Sequence, residues 1–188
     1  MFKHQKLGFR IIFPVAFTVI VFSLVLYFLG TGAAGRLIDA NLDDLLSAKV
    51  VDIHTSIERV SGKMLGQAAL FSRADAVQDA YEIAYTGDIT REEDPRMDAA
   101  RGALRQYFAS LEQGYKSALG GKAFRIHFHL PPARSLLRLW KTGQNRSDDL
   151  TAFRNTILTI GKGRHEPVKG IEIGRGGFAI RGLAPVFS

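Results

Sequence analysis

The chain has 188 residues, with 25 Lys or Arg against 18 Asp or Glu, a formal charge of +7 and no cysteine. That length leaves material for one domain behind any membrane anchor. The absence of cysteine excludes a disulfide framework, thiolate metal sites and a cysteine nucleophile. The positive excess sits in the last third, since residues 1–121 hold 13 basic against 14 acidic side chains and residues 122–188 hold 12 against 4. There is no lysine-rich tail or RNA-binding aromatic motif. The charge therefore points to an anionic small molecule or a membrane surface rather than to nucleic acid.

Residues 1–10 read as a short cytoplasmic N-terminus. Residues 11–29, IIFPVAFTVIVFSLVLYFL, carry no charge, and a helix of roughly 20 residues crosses a hydrocarbon core of about 30 Å. Lys3, His4, Lys6 and Arg10 precede this run, whereas Arg36 with Asp39, Asp43 and Asp44 follows it. The positive-inside rule then leaves the N-terminus in the cytoplasm and exports residues 31–188. Pro14 is expected in the first turn of the span, where its missing N–H costs little. The small residues 30–34 also fit a signal-peptide cleavage site, although signal h-regions usually run only about 7 to 15 residues.

Residues 36–71 contain no proline, and Leu42, Leu46, Val50, Ile53, Ile57, Val60 and Met64 recur at spacings of four and three. This is the stripe of a long amphipathic helix, free to pack on its own domain or on a partner subunit. Residues 72–121 read as a helical scaffold. A short helix over 75–85 has Ser72 and Asp75 as a loose capping box, and an acidic turn, Glu92, Glu93, Asp94 and Pro95, precedes a second helix. That second helix has Met97, Ala100, Leu104, Phe108 and Leu111 on one face and stops at Gly120 and Gly121.

The periodicity changes to two at Phe124. Phe124, Ile126, Phe128 and Leu130 alternate with Arg125, His127 and His129, giving a strand with one apolar and one basic face, ended by Pro131 and Pro132. The pattern that follows predicts a short amphipathic helix burying Leu136, Leu137 and Trp140, with Arg134, Arg138 and Lys141 accessible. After a polar loop over 142–147, Asp148 or Asp149 is expected to cap a helix that buries Leu150, Phe153, Ile157 and Leu158 and ends at Gly161. The last segment reads as a hairpin of strands 168–173 and 178–186 around Gly174, Arg175, Gly176 and Gly177. Ile171, Ile173, Phe178 and Ile180 share one face, and Glu172 and Arg181 form a structural ion pair on the other. Helices with an antiparallel sheet make the fold class α+β. The sequence stops at Ser188 inside what reads as a strand, so a fragment of a longer protein is expected.

Several constellations compete for a function. His127 and His129 point the same way, but zinc needs further ligands and none is in register. The glycine-rich turn fits neither phosphate-loop spacing and has no helix after it. No hydrolase or metalloprotease motif occurs, and no cofactor is expected. Asn145, Arg146 and Ser147 match a glycosylation acceptor, which carries no meaning in a bacterium. The charge pattern fits a ligand pocket in which Arg125, His127 and His129 line a polar strand face, covered by Arg134, Arg138 and Arg154. Arginine forks hold a carboxylate bidentately.

Three runs carry a family resemblance: FRIHFHLPPARSLLRLW (residues 124–140), DDLTAFRNTI (residues 148–157) and GIEIGRGGFAIRGLAPVF (residues 170–187). Together they resemble the extracytoplasmic double Cache sensor domain of bacterial methyl-accepting chemotaxis proteins. The detailed match covers the last third, and the earlier part matches in layout only. The resemblance implies a long N-terminal helix carrying PAS-like modules, a homodimer in the inner membrane, a second span, a HAMP linker and a cytoplasmic output domain. It also implies a signalling receptor rather than an enzyme. The alternatives are a histidine kinase or diguanylate cyclase sensor, or a membrane-anchored envelope adaptor that binds a protein through the long helix.

Overall fold

The computed structural model describes residues 3–141, 146–162, 165–174 and 177–186, with side chains from Ile12 onward except at position 162. The basic side chains before the span, most of the polar loop with Asn145, and Arg175 and Gly176 of the glycine-rich turn lie outside the described residues. In chain order the elements are α1 (Lys3–Ser72), α2 (Asp75–Tyr85), α3 (Pro95–Ala118), β1 (His127–Leu130), β2 (Arg134–Arg138), α4 (Asn155–Lys162), β3 (Val168–Gly174) and β4 (Gly177–Leu183). The fold is α+β, with a long apolar N-terminal helix and two small antiparallel sheets, β1–β2 and β3–β4. The chain divides into two compact units, Met1–His54 and Thr55–Ser188.

The first unit is helical throughout its described residues, and every side chain over 12–29 is exposed. This helix is long and apolar enough to cross a membrane. Two of its hydroxyls bond locally, Thr18 Oγ1 donating to Pro14 O at 2.8 Å and Thr31 Oγ1 to Tyr27 O at 2.9 Å, a device that suits an apolar solvent. Because α1 begins at Lys3, Pro14 lies inside the helix and not in its first turn. Leu42, Leu46, Val50 and Ile53 are all exposed.

In the second unit the buried face of α1 follows the expected stripe only in part, through Ile57 and Val60. Ser61 and Ser72 are buried, Ile57, Leu65 and Ala68 half-buried, and Met64 exposed. The small side chains let neighbours approach the backbone closely. The two serines return their hydroxyls to Glu58 O at 3.1 Å and Ala69 O at 2.9 Å. Ser72 therefore does not cap α2, whose N-cap is Ala74 without a side-chain bond.

Asp94 does cap α3, accepting from the backbone N–H of Arg96 and Met97 with Pro95 behind it. The helix ends where Gly120 and Gly121 adopt φ of 61° and 79°, a region that favours glycine. α2 and α3 pack together under the β1–β2 hairpin. Val77, Ala80 and Tyr81 meet Met97, Leu104, Phe108, Phe128, Leu136 and Leu137 in one core. Phe108 is fully buried and lies edge-on to Phe71, with ring centroids 5.1 Å apart.

One expected helix is replaced by extended chain, and another begins later than expected. Residues 134–138 form β2, which pairs His127 with Arg138 and His129 with Ser135 across an irregularity in the ladder. A helix there would leave the backbone groups of β1 unpaired, and that cost outweighs a local helical period. Residues 147–150 then run along the other edge of β2: Ser135 N–H donates to Asp148 O at 3.1 Å, and Leu150 N–H to Ala133 O at 3.0 Å. Asp148 and Asp149 are consequently not helix caps. Asp149 instead holds a turn through Thr151, and the helix starts later, at Asn155. Arg101, only 3% exposed, ties these parts together by donating to Leu136 O and to Ser147 Oγ, both at 2.9 Å.

Candidate functional site

The pleat of β1 sends Phe128 and Leu130 into the core, and His127 and His129 to the opposite face. The two imidazoles lie against each other, with centroids 3.8 Å apart. His127 Nε2 is 2.8 Å from Ser135 Oγ on β2, and the Trp140 ring meets His127 edge-on. The backbone of His129 is fixed from α2, because Tyr81 Oη donates to its carbonyl at 3.0 Å and receives its N–H at 3.3 Å. Burial keeps the Tyr81 phenol protonated, pushing its pKa upward.

The charges of three guanidiniums act on the histidines. Arg138 stands across from His127 in the ladder and donates to Asp148 Oδ2 at 3.0 Å. Arg154, from the turn before α4, donates from Nη1 to Glu172 Oε2 at 2.9 Å, and its guanidinium lies where a Cβ on Gly174 would be. Arg181 of β4 places Nε 2.9 Å from the same Glu172 oxygen, but off the line of a hydrogen bond, so this contact is Coulombic. The other Glu172 oxygen accepts from Thr156 N–H at 3.2 Å and Thr156 Oγ1 at 2.8 Å in the first turn of α4.

These neighbours set the charge states. Burial pushes His129 down to about 3, and the charges of Arg181, Arg138 and Arg154 act in the same direction. Burial, His129 and the same guanidiniums hold His127 well below its ordinary value. Both imidazoles are therefore neutral near pH 7. Burial drives the Glu172 carboxyl upward, but the bonds from Thr156 and Arg154 and the charge of Arg181 outweigh it and bring the carboxyl below its ordinary value. Burial and the charge of Arg154 lower Arg181, against the opposing pull of Glu172. His129 Nε2, Arg154 Nε, Arg181 Nε and Asp148 Oδ1 are buried without a hydrogen-bond partner in the protein. These atoms lie on four segments, and each has hydrogen-bonding capacity left for a further polar group.

Of the six residues expected to bind a ligand, His127, His129, Arg138 and Arg154 are brought together. Arg125 is exposed ahead of β1. Arg134 turns to the 147–149 segment, donating to Ser147 O at 2.9 Å with Asp149 Oδ2 at 3.5 Å. Neither joins the cluster, because β1 begins only at His127 and Arg134 serves to pin the extended segment beside β2. Glu172, Arg181, Asp148 and Ser135 were not expected there. The pairing of Ile171 with Ile180 and of Ile173 with Phe178 does put these four on one face. Yet that face is the open one: Phe178 is 78% exposed, whereas Glu172 is 8% exposed. A carboxylate and a guanidinium in mid-hairpin, opposite an apolar face, were the available signal.

Among the described residues no group of three His, Asp or Glu side chains could hold a metal ion. Comparison with protein-family models, curated proteins and solved structures finds no match to this chain. The arrangement can neutralise an anion through guanidiniums and supply hydrogen bonds from neutral imidazoles.

Proposed function

We propose that the chain is the sensor part of a bacterial membrane receptor of the double Cache, PAS-like type. It sits in the inner membrane with its N-terminus in the cytoplasm and its α+β unit outside, and it forms a homodimer. A small organic anion binds among His127, His129, Arg138, Arg154 and Arg181, and is bound rather than transformed. The signal passes to a cytoplasmic output domain, first of all that of a methyl-accepting chemotaxis protein, with a histidine kinase or diguanylate cyclase as the alternative output.

The observation that carries this reading is the buried basic cluster with its unpartnered nitrogens. A route toward α1 supports the relay. Gly182 follows Arg181 in β4, and a Cβ on Gly182 would overlap the backbone of Met64 and Leu65. Lys169 of β3 also pairs with Glu58 of α1. A ligand that favours one position of β4 thereby biases α1, by no more than its difference in affinity for the two states.

The test is isothermal titration of the full chain in lipid nanodiscs against a panel of carboxylates. Saturable binding that weakens at least tenfold in Arg138→Ala and Arg154→Ala is expected; equal affinity in folded variants removes the site assignment. The exposed stripe of Leu42, Leu46, Val50 and Ile53 favours a second reading, an envelope adaptor that binds a protein through α1. That reading requires Ile53→Asp to abolish partner association and the chain to bind no carboxylate.

A further inference from the structure

Among the described residues, the largely buried charges near the two imidazoles do not balance. Arg138, Arg154 and Arg181 contribute three positive charges, while Asp148 and Glu172 contribute two negative ones, each within 3.0 Å of a guanidinium nitrogen. The other polar groups described there are uncharged: Ser135 on β2, Thr156 on α4, and Tyr81 on α2, whose hydroxyl holds the His129 backbone. Arg154 and Arg181 share the Glu172 carboxylate, so among the described residues one positive charge is left over where water has little access, and an uncompensated charge there is costly.

We infer that the cluster is matched to an anion with a single negative charge, and that a dianion enters only with a proton that one of the two imidazoles takes up. This rests on the anion-sensor reading above and narrows the ligand class. A carboxylate among Arg138, Arg154 and Arg181 cancels the surplus, with His129 Nε2 available to donate to it. A dianion reverses the sign to one surplus negative charge. The nearest group able to correct that is a neutral imidazole, because guanidiniums are already protonated and the bonds from Thr156 and Arg154 with the charge of Arg181 hold Glu172 ionised. His127 and His129 are neutral because they are buried among positive charges. A second negative charge beside them removes that cause, and the proton comes from solvent.

The experiment is titration of the full chain in nanodiscs at pH 6, 7 and 8, each in two buffers of different ionisation enthalpy. The probes are propionate and L-lactate as monoanions, and fumarate and L-tartrate, which are fully dianionic above about pH 6. Monoanions are expected to bind with no net proton uptake and with less than a twofold change in Kd from pH 6 to 8. Dianions are expected to take up about one proton and to weaken about tenfold per pH unit upward. Dianion binding that is independent of pH and buffer overturns the inference while leaving the anion sensor standing, as does monoanion binding with proton uptake. A failure of all four probes to bind overturns the sensor reading itself, and the inference with it.

Discussion

Replacing Glu172 by Gln keeps the side-chain shape and removes one negative charge from between two guanidiniums. In the native protein Glu172 Oε2 is 2.9 Å from both Arg154 Nη1 and Arg181 Nε, and the residue is only 8% exposed. A pair of unit charges about 4 Å apart is worth about 4 kcal/mol at an effective dielectric constant of 20. Breaking a buried pair costs about 3 to 5 kcal/mol, because the stranded partner remains buried. The bonds from Thr156 can partly persist to the amide oxygen, so a loss of about 3 kcal/mol at pH 7 is expected, or about 10 °C in Tm. Urea denaturation provides the assay. Trp140, the one tryptophan in the chain, lies edge-on to His127 and reports on the cluster by fluorescence. A double-mutant cycle should give a larger coupling of Glu172 to Arg154 than to Arg181, because only Arg154 makes a hydrogen bond to the carboxylate. A variant within 0.5 kcal/mol of wild type, on the scale of ordinary surface substitutions, would refute the placement of Glu172 between two buried charges.

Two further outcomes follow from the same geometry. His129 has its pKa lowered to about 3 in the folded protein, so the unfolded chain binds the proton first. Its stabilising contribution is complete above about pH 6.5 and falls with pH below that, by about 2 kcal/mol by pH 5; denaturation midpoints unchanged between pH 7 and 5 would contradict the buried neutral imidazole. At Gly182 a methyl group would strike the backbone of Met64 and Leu65. Gly182→Ala should therefore cost about 2 kcal/mol and raise hydrogen exchange in β3 and β4 before α2 and α3. Uniform or unchanged exchange would show that β4 does not rest on α1.

The readable parts of the sequence were those whose signals are local. The uncharged run over 11–29 needs only its length, α3 needs only Asp94 and Pro95 at one end and two glycines at the other, and β3–β4 needs only its alternation. His127 and His129 were legible as a pair, because alternate residues of a strand share a face wherever the strand is placed. The segment RSLLRLW was not legible. Its leucines and tryptophan satisfy a helical period, and only the unpaired backbone of β1 on one side and of residues 147–150 on the other decides for a strand. The same holds for which side of β3–β4 is covered. Alternation separates Ile173 and Phe178 from Glu172 and Arg181, but it does not say which set faces the protein. The sequence by itself determined the long apolar helix, the helical scaffold and the alternation of β1. Only the tertiary structure decided that Glu172 and Arg181 join His127, His129, Arg138 and Arg154, and that Arg125 and Arg134 do not, because burial and charge pairing depend on neighbours that are distant in the chain.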